Sequence, residues 1–432
     1  MMLAKLILTF SAFSFPGFAM IQDGDVEPPP LRYDQSLDTA LAEAKAKNTF
    51  VLVALPEDWP GEGHGSLGGA FWYHKSLRKS AAKGRAVIGS PCKHSENESG
   101  SDRNGKAMER VCSRFGQMLC EQHREIEKQT IARFFDGLEP AARPAFLVIR
   151  ASDGVVVARR LGDPAANELA ETISAASSAI ESGENPSVPA ELLGKATDED
   201  ANVRNRSLRV LASLEFPSAD AARKKLLEEA KDDARRAELL LAIAECGSKC
   251  EPSVIAPFTD SKNATVRAAA MRAFGGSGHV SGVEPLLKSW PKAREDEEKK
   301  AIVRALGRCG RQSEPARELL KKAASDTKTY VRANAMIAIG EALYADASAV
   351  KLLKSRAETD GDSKVRGAAV FALVNLRNAE PKDTIAFLRA RKAKEKDAKV
   401  IEVMNSGVAF LDGSLNDELH WPLEIFCGDP KQ

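Results

Sequence analysis

The amino-acid sequence predicts an α/β domain followed by an all-α solenoid, a right-handed superhelix of stacked helix pairs. Three observations carry this prediction. Runs of β-forming residues, at 49–55, 145–149 and 155–161, are confined to the first part of the chain. Beyond about residue 190 a Val-Arg pair recurs behind an Asp-containing turn, at Val203-Arg204, Val266-Arg267, Val331-Arg332 and Val365-Arg366. Hydrophobic residues make up 43% but aromatic residues only 6%, which suits close packing of small-residue helices better than a β-sandwich.

The 432 residues allow two or three domains, at roughly 100–200 residues each. The charged fraction is 28% and the hydrophobic fraction is ordinary, which excludes wholesale disorder, a collagen-like chain and a polytopic membrane protein. Lys+Arg is 62 against Asp+Glu 61, a formal net charge of +1. A dedicated nucleic-acid binder carries a basic excess, so none is expected as a partner.

The chain begins MMLAK, LILTFSAFSF, PGFA: one positive charge, a short apolar run and a small-residue site ending at Ala19. The run is too short to cross a bilayer, which needs about 20 residues. It reads as a secretory signal peptide over 1–19, implying a secreted or periplasmic protein. No second long apolar run follows, so no integral membrane segment is expected after cleavage. Residues 20–32 end in a proline run and read as a linker.

The α/β domain is placed at 33–182. Ser36 can cap a helix with Leu37, Ala40, Leu41 and Ala44 at helical spacing. TFVLVAL at 49–55 reads as a buried central strand. A loop with Trp59, Pro60, Gly61 and Gly63 follows, and RAVIG at 85–89 is a second short strand. Residues 90–106 read as an inserted surface loop, and two helical stretches are expected from there to Phe135. AFLVI, the Asp153-Gly154 turn and VVVARRL read as a hairpin. A helix from about Pro164 to Ala179 closes the domain.

This order resembles the thioredoxin-like family over residues 33–182. Members carry a Trp-Cys-x-x-Cys site after the first core strand and a cis-proline opposite it. Here the matching turn is Asp58-Trp59-Pro60-Gly61-Glu62-Gly63, with Pro60 and Gly63 where the cysteines would stand, and Pro144 matches the cis-proline. Dithiol exchange needs a thiolate and a resolving thiol. The resemblance therefore implies a redox-inactive thioredoxin-like module.

The helical array is placed at 190–412. The Val-Arg pairs are separated by 63, 65 and 34 residues, so a degenerate unit sits within each long gap. Ala234-Arg235 and the EEKKAIVRALGRCG stretch near Glu298 fill them, and Lys399-Val400 starts a seventh unit. The resulting steps run from 31 to 35 residues, and a period of this size means stacked helix pairs that bury their apolar faces only against neighbours. The Asp side chains can cap each second helix, the valines pack between units, and Arg204, Arg267, Arg332 and Arg366 bond the neighbouring turn's carboxylate or carbonyls. A phosphate-binding ladder is the alternative role for these arginines. The recurring motif resembles HEAT or HEAT-like repeats, the armadillo-type architecture that also includes bilin lyases. Residues 413–432 break the period and read as a C-terminal cap or tail.

The seven cysteines are Cys92, Cys112, Cys120, Cys246, Cys250, Cys309 and Cys427. Cys246 and Cys250 are close enough to form a disulfide where the turn permits, and Cys112 and Cys120, which flank another short stretch, are a second candidate pair. Either pair can instead be buried and inert, and a relocated redox pair is a further reading. The spacings do not match a structural zinc site, and His123 is the only other ligand type near Cys120, so no metal or cofactor is expected. No H-E-x-x-H pattern, nucleophile elbow or phosphate-binding Gly-Lys-Ser/Thr loop is present, so no catalytic residue is assigned. The expected function is a non-enzymatic scaffold that binds a protein or peptide partner on the repeat surface. A thiol-disulfide oxidoreductase or chaperone-like protein using non-standard cysteines is the alternative.

Overall fold

The computed structural model describes residues 31–56, 74–91, 96–137, 140, 143–162, 164–183, 186–276, 278–342, 347–376 and 380–412. The stretch read as an export signal, most of the expected linker, Trp59, Pro60, Gly63, Cys92 and the tail from residue 413 lie outside the described residues.

The first helix, α1 (Leu37–Ala46), starts where the Ser36 hydroxyl accepts from the Thr39 N–H, with Asp38 in its first turn and Lys45 in its last. Strand β1 (Phe50–Leu55) follows and is buried at every position. Helix α2 (Lys75–Ala81) leads into β2 (Arg85–Ile88). Further on, α3 (Cys120–Phe134) precedes the hairpin β7 (Ala145–Arg150) and β8 (Val155–Leu161), and α4 (Ala166–Glu181) packs back across the domain. The four main strands form one sheet in the order β2-β1-β7-β8. β1 runs parallel to β2, with Val53 opposite Val87, and antiparallel to β7, with Val53 opposite Leu147. A strand covered on both faces tolerates no polar break, which is why FVLVAL occupies the centre. Pro144 stands directly before β7, and the Arg143–Pro144 peptide bond is cis.

Residues 107–119 are not helical, contrary to the sequence expectation. Its first part pairs with the preceding segment: β3 (Glu96–Asn97) pairs with β6 (Val111–Cys112), and β4 (Gly100–Ser101) with β5 (Ala107–Met108). Asp102 organises it, its carboxylate accepting from the N–H groups of Asn104 (2.9 Å) and Lys106 (2.8 Å). Such Asx turns offer the backbone a partner that competes with a helix.

The rest of the described chain is helical. Seven antiparallel pairs follow in order: α5 (Ala190–Lys195) with α6 (Ala201–Ser213), α7 (Pro217–Glu228) with α8 (Asp233–Cys246), α9 (Pro252–Ile255) with α10 (Ala264–Gly276), α11 (Val283–Ser289) with α12 (Asp296–Cys309), α13 (Glu314–Ala323) with α14 (Thr329–Ala342), α15 (Ala347–Thr359) with α16 (Ser363–Val374), and α17 (Pro381–Lys392) with α18 (Ala398–Leu411). The second helices of successive pairs pack on one another as a continuous layer. Side-chain caps recur at their starts: Asp200, Asp232, Asp362 and Asp397 each accept backbone N–H groups of the first turn. The layer is closely spaced because the facing residues are small. A Cβ on Gly275 would lie 2.4 Å from Ala305 Cα, and one on Gly307 would lie 2.8 Å from Ala338 Cα.

The two regions meet without an intervening gap. Val210, Leu211, Leu214, Phe216 and Ala219 belong to the core of the α/β domain, while Ala196, Leu208 and Ala212 belong to the core of the array. Helix α6 thus serves both. The Glu215 N–H donates to the Val157 carbonyl (2.8 Å) and Leu214 pairs with Ala158, so the chain covers the outer edge of β8. Arg159 and Glu215 form a buried pair at 2.8 Å, and Glu168 bridges Arg160 (2.9 Å) and Arg209 (2.8 Å).

Candidate functional site: arginine staples and the open face of the helical stack

The motif arginines sit four residues beyond the helix caps, and each makes the same set of bonds. Arg204 Nη1 donates to the carbonyls of Asp198 (2.8 Å) and Glu199 (3.0 Å), while Nε and Nη2 clasp Glu238 (2.9 and 3.1 Å). Arg267 uses the Ser261 and Lys262 carbonyls (2.7 and 3.0 Å) and the carboxylate of Glu298. Arg332 uses Asp326 and Thr327 (2.9 and 3.2 Å) and Asp360 (3.2 Å twice). Arg366 uses Asp360 and Gly361 (3.0 and 3.3 Å) and Glu395 (2.9 and 2.8 Å). The backbone bonds close the turn before the helix, and the carboxylate belongs to the next unit. Each arginine therefore staples two repeats. Four of the five guanidinium N–H groups are used in this way, leaving no open fork for a phosphate.

In the two degenerate units the equivalent positions are Arg236 and Lys299. The cap at Asp232 places Arg236, not Arg235, in register. Arg236 keeps the backbone bonds, to Leu227 (3.2 Å) and Ala230 (3.3 Å), and Lys299 keeps only the forward carboxylate, Asp326 (3.3 Å). Val266, Val331 and Val365 are fully buried between units, whereas Val203 is half-buried at the start of the array.

The staples leave one side of the stacked layer open to solvent. Leu241, Arg272, Arg304 and Phe371 occupy equivalent positions there and are partly exposed. Arg304 and Arg308 lie four residues apart on α12 and Arg311 lies in the turn beyond it, with Glu341 of α14 at 3.4 Å from Arg304. Burial, with the guanidinium groups of Arg304 and Arg311 beside it, pushes Arg308 below the ordinary arginine range against the pull of Glu341. The Arg308 Nε–H meets no acceptor among the described residues. The sequence reading passed over these arginines because they fall in a degenerate repeat, although their spacing was visible in VRALGRCGR. A cleft between the first two units, lined by Leu208, Leu226, Arg235 and Leu239, encloses only about 170 Å³, below the ~300–1,000 Å³ of small-molecule sites.

The cysteines read as disulfide partners are thiols in the structure. Cys246 is buried at the end of α8 and donates to the Arg209 carbonyl (3.2 Å), and Cys250 is half-buried beyond the turn. Cys112 and Cys120 lie in contact with each other, and burial pushes the Cys112 thiol up to about 11. A raised value is the reverse of what an exchange nucleophile requires. The fold also brings His123 to this pair, a convergence the linear spacing did not reveal.

A family model for HEAT repeats matches residues 283–374 and 316–405. No curated protein matches the chain. Among solved structures, the complex of CpcE and CpcF of phycocyanin lyase from Nostoc sp. PCC7120 is 17% identical, with a TM-score of 0.35 over 54% of this chain and 97% of that one. Two engineered proteins are 19% and 18% identical, with TM-scores of 0.29 and 0.30, over 52% and 51% of this chain and 96% and 67% of theirs. Among the described residues no helix is long and apolar enough to cross a membrane. The C-terminal region is a helical-repeat solenoid that carries HEAT repeats, joined to a smaller α/β region at its N-terminal end.

Proposed function

We propose that this protein is an exported interaction scaffold whose helical array takes a protein or peptide partner on the open side of the stacked layer. The observation that carries the reading is the HEAT-repeat array itself, whose stacked layer carries Arg304, Arg308 and Arg311 close to Glu341. A partner presenting Asp or Glu side chains would meet these guanidinium groups through charge-assisted bonds. Stacked repeats curve, so such a side forms an extended groove suited to a peptide or helix. Near-zero net charge fits recognition by a local patch rather than by bulk attraction.

The α/β region acts in this reading as a redox-inactive thioredoxin-like module that closes the first repeat. The β2-β1-β7-β8 order, the parallel β1/β2 pair and the returning helix α4 support the thioredoxin-like assignment. Pro60 and Gly63 in place of cysteines support the loss of dithiol chemistry. The leader over residues 1–19 supports export, which N-terminal sequencing of the protein from its own cells tests directly: a chain starting at Met20 is the expected result.

Binding is tested by fluorescence anisotropy with a labelled glutamate-rich peptide and a lysine-rich control on the full chain. Arg304→Glu/Arg308→Glu should weaken the acidic peptide at least tenfold, while Lys231→Glu, far along the array, should not. Equal binding by the reversed and native proteins would contradict the assignment.

A further inference from the structure

We propose that Cys112, Cys120 and His123 form a binding site for one thiophilic divalent cation of the zinc class. Cys112 ends β6, while Cys120 and His123 lie three residues apart on the first turn of α3. All three are buried and their ligand atoms lie within 4.8 Å of one another. Tetrahedral zinc, with bonds of about 2.3 Å to sulfur and 2.0–2.1 Å to nitrogen, sets its ligand atoms roughly 3.5–3.8 Å apart. The separations in the cluster exceed that by no more than about 1.3 Å before any ion enters.

The surroundings orient each ligand. The Cys112 N–H donates to the Met118 carbonyl (2.7 Å) and the Gly116 N–H donates to the Cys112 carbonyl (2.8 Å). Gly116 closes this tight turn with φ +64, a conformation that suits glycine. Burial raises the Cys112 thiol, and the turn directs the backbone N–H groups of Arg114 and Phe115 at its sulfur, which partly offsets that effect. Cys120 is the first residue of a 15-residue helix, which fixes its backbone and its distance to His123 one turn on. His123 Nδ1 lies 3.0 Å from the Ser90 carbonyl oxygen, which can only accept. Nδ1 therefore carries the proton and Nε2 the lone pair, the arrangement in which a carbonyl orients a metal-bound imidazole. The Phe115 ring meets the His123 ring edge-on, with centroids 5.0 Å apart, and fixes its plane.

Charge and packing point the same way. Two thiolates, a neutral imidazole and a divalent cation sum to zero, so the complex is far cheaper to bury than two bare thiolates. A sulfur and nitrogen set without carboxylates selects zinc over magnesium or calcium. Binding displaces one proton from each cysteine, so two protons leave per ion. A fourth corner remains for a small ligand such as water. The surrounding segment also needs a tie: β3 to β6 are two residues long each, and Val111 and Met118 are its principal buried apolar side chains. So little apolar burial rarely holds a loop-rich segment in one conformation.

The test is cobalt titration of the full-length, reduced, metal-free protein, followed by zinc displacement. The expected result is one equivalent bound, with ligand-field absorption of a tetrahedral ion and sulfur-to-cobalt charge transfer, both lost on adding zinc. Cys112→Ser and His123→Ala should each weaken binding at least tenfold, whereas Cys250→Ser should leave it unchanged. The native spectrum stands whether or not a variant folds: absence of the sulfur charge-transfer band overturns the proposal. So does a Cys112–Cys120 disulfide in protein purified with zinc present, which would mark the pair as redox-active instead.

Discussion

The α/β region and the helical array solve the same burial problem with different parts. The α/β core is built from large side chains that occur once each, Phe50, Leu52, Phe146 and Ile149, paired across strands distant in sequence. The array buries small residues in a repeating pattern, with Gly275 against Ala305 and Gly307 against Ala338, and holds each unit to the next by an arginine staple. Where the two meet, the contacts are of a third kind, buried ion pairs between Arg159 and Glu215 and around Glu168. The lesson is that the array's stability is a sum of similar local terms, while the α/β region depends on a few long-range ones and lends its sheet edge to the first repeat.

The largest effect is expected at the meeting point. Arg159→Met leaves Glu215 buried without its cation, and breaking such a pair costs about 3–5 kcal/mol. Denaturant unfolding should show the midpoint fall and the single transition broaden or divide. An unchanged midpoint would mean that the two regions do not depend on each other.

Next comes the spacing of the stack. Alanine is the better helix former by about 1 kcal/mol, yet Gly275→Ala should destabilise by about 1–3 kcal/mol because its methyl meets backbone across the layer. A gain in stability on urea titration would show that the helices have room to separate.

The staples are expected to be weaker singly. Arg366→Lys keeps a charge but cannot reach two carbonyls and a carboxylate together, at a cost of about 2 kcal/mol. Acid should report the same pair. The Arg366 side chain, then the backbone N–H groups of Lys396 and Asp397, hold Glu395 down to about 2, against the desolvation that opposes them. A group whose folded value is depressed contributes stability above its unfolded value, about 4.5, and loses it as the pH falls toward 2. At most about 3 kcal/mol is at stake, and Arg366→Lys should flatten that part of the pH–stability profile.

The smallest effect belongs to exposed pairs such as Lys231 with Glu199. Lys231→Ala should leave the midpoint unmoved at physiological salt, since surface pairs contribute little.

Much of the array was legible because its information is periodic. Asp-turn-Val-Arg recurs, and its chemistry is local: the carboxylate caps a helix and the arginine reaches carbonyls five and six residues back. What escaped was non-periodic. Residues 107–119 carry helix-compatible side chains, but the Asp102 turn and the ladders at β3 to β6 claim the backbone first. Cys112 is brought to Cys120 and His123, which share one helix turn, by a strand end that no spacing rule relates to that helix. The sequence places the α/β domain at 33–182 and the array at 190–412 but carries no sign that they share a core, because the pairing of Leu214 and Glu215 with β8 lies downstream and leaves no local mark.

Native-state hydrogen exchange on the full chain, followed across increasing denaturant, tests the union of the two regions most directly. Amides of β8, α4, α6 and α8 should merge into one opening isotherm, because a strand edge, a shared core and buried ion pairs join them. If β8 and α4 open at low denaturant while α6 and α8 stay protected, the α/β region is a separate body and the array closes its own first repeat.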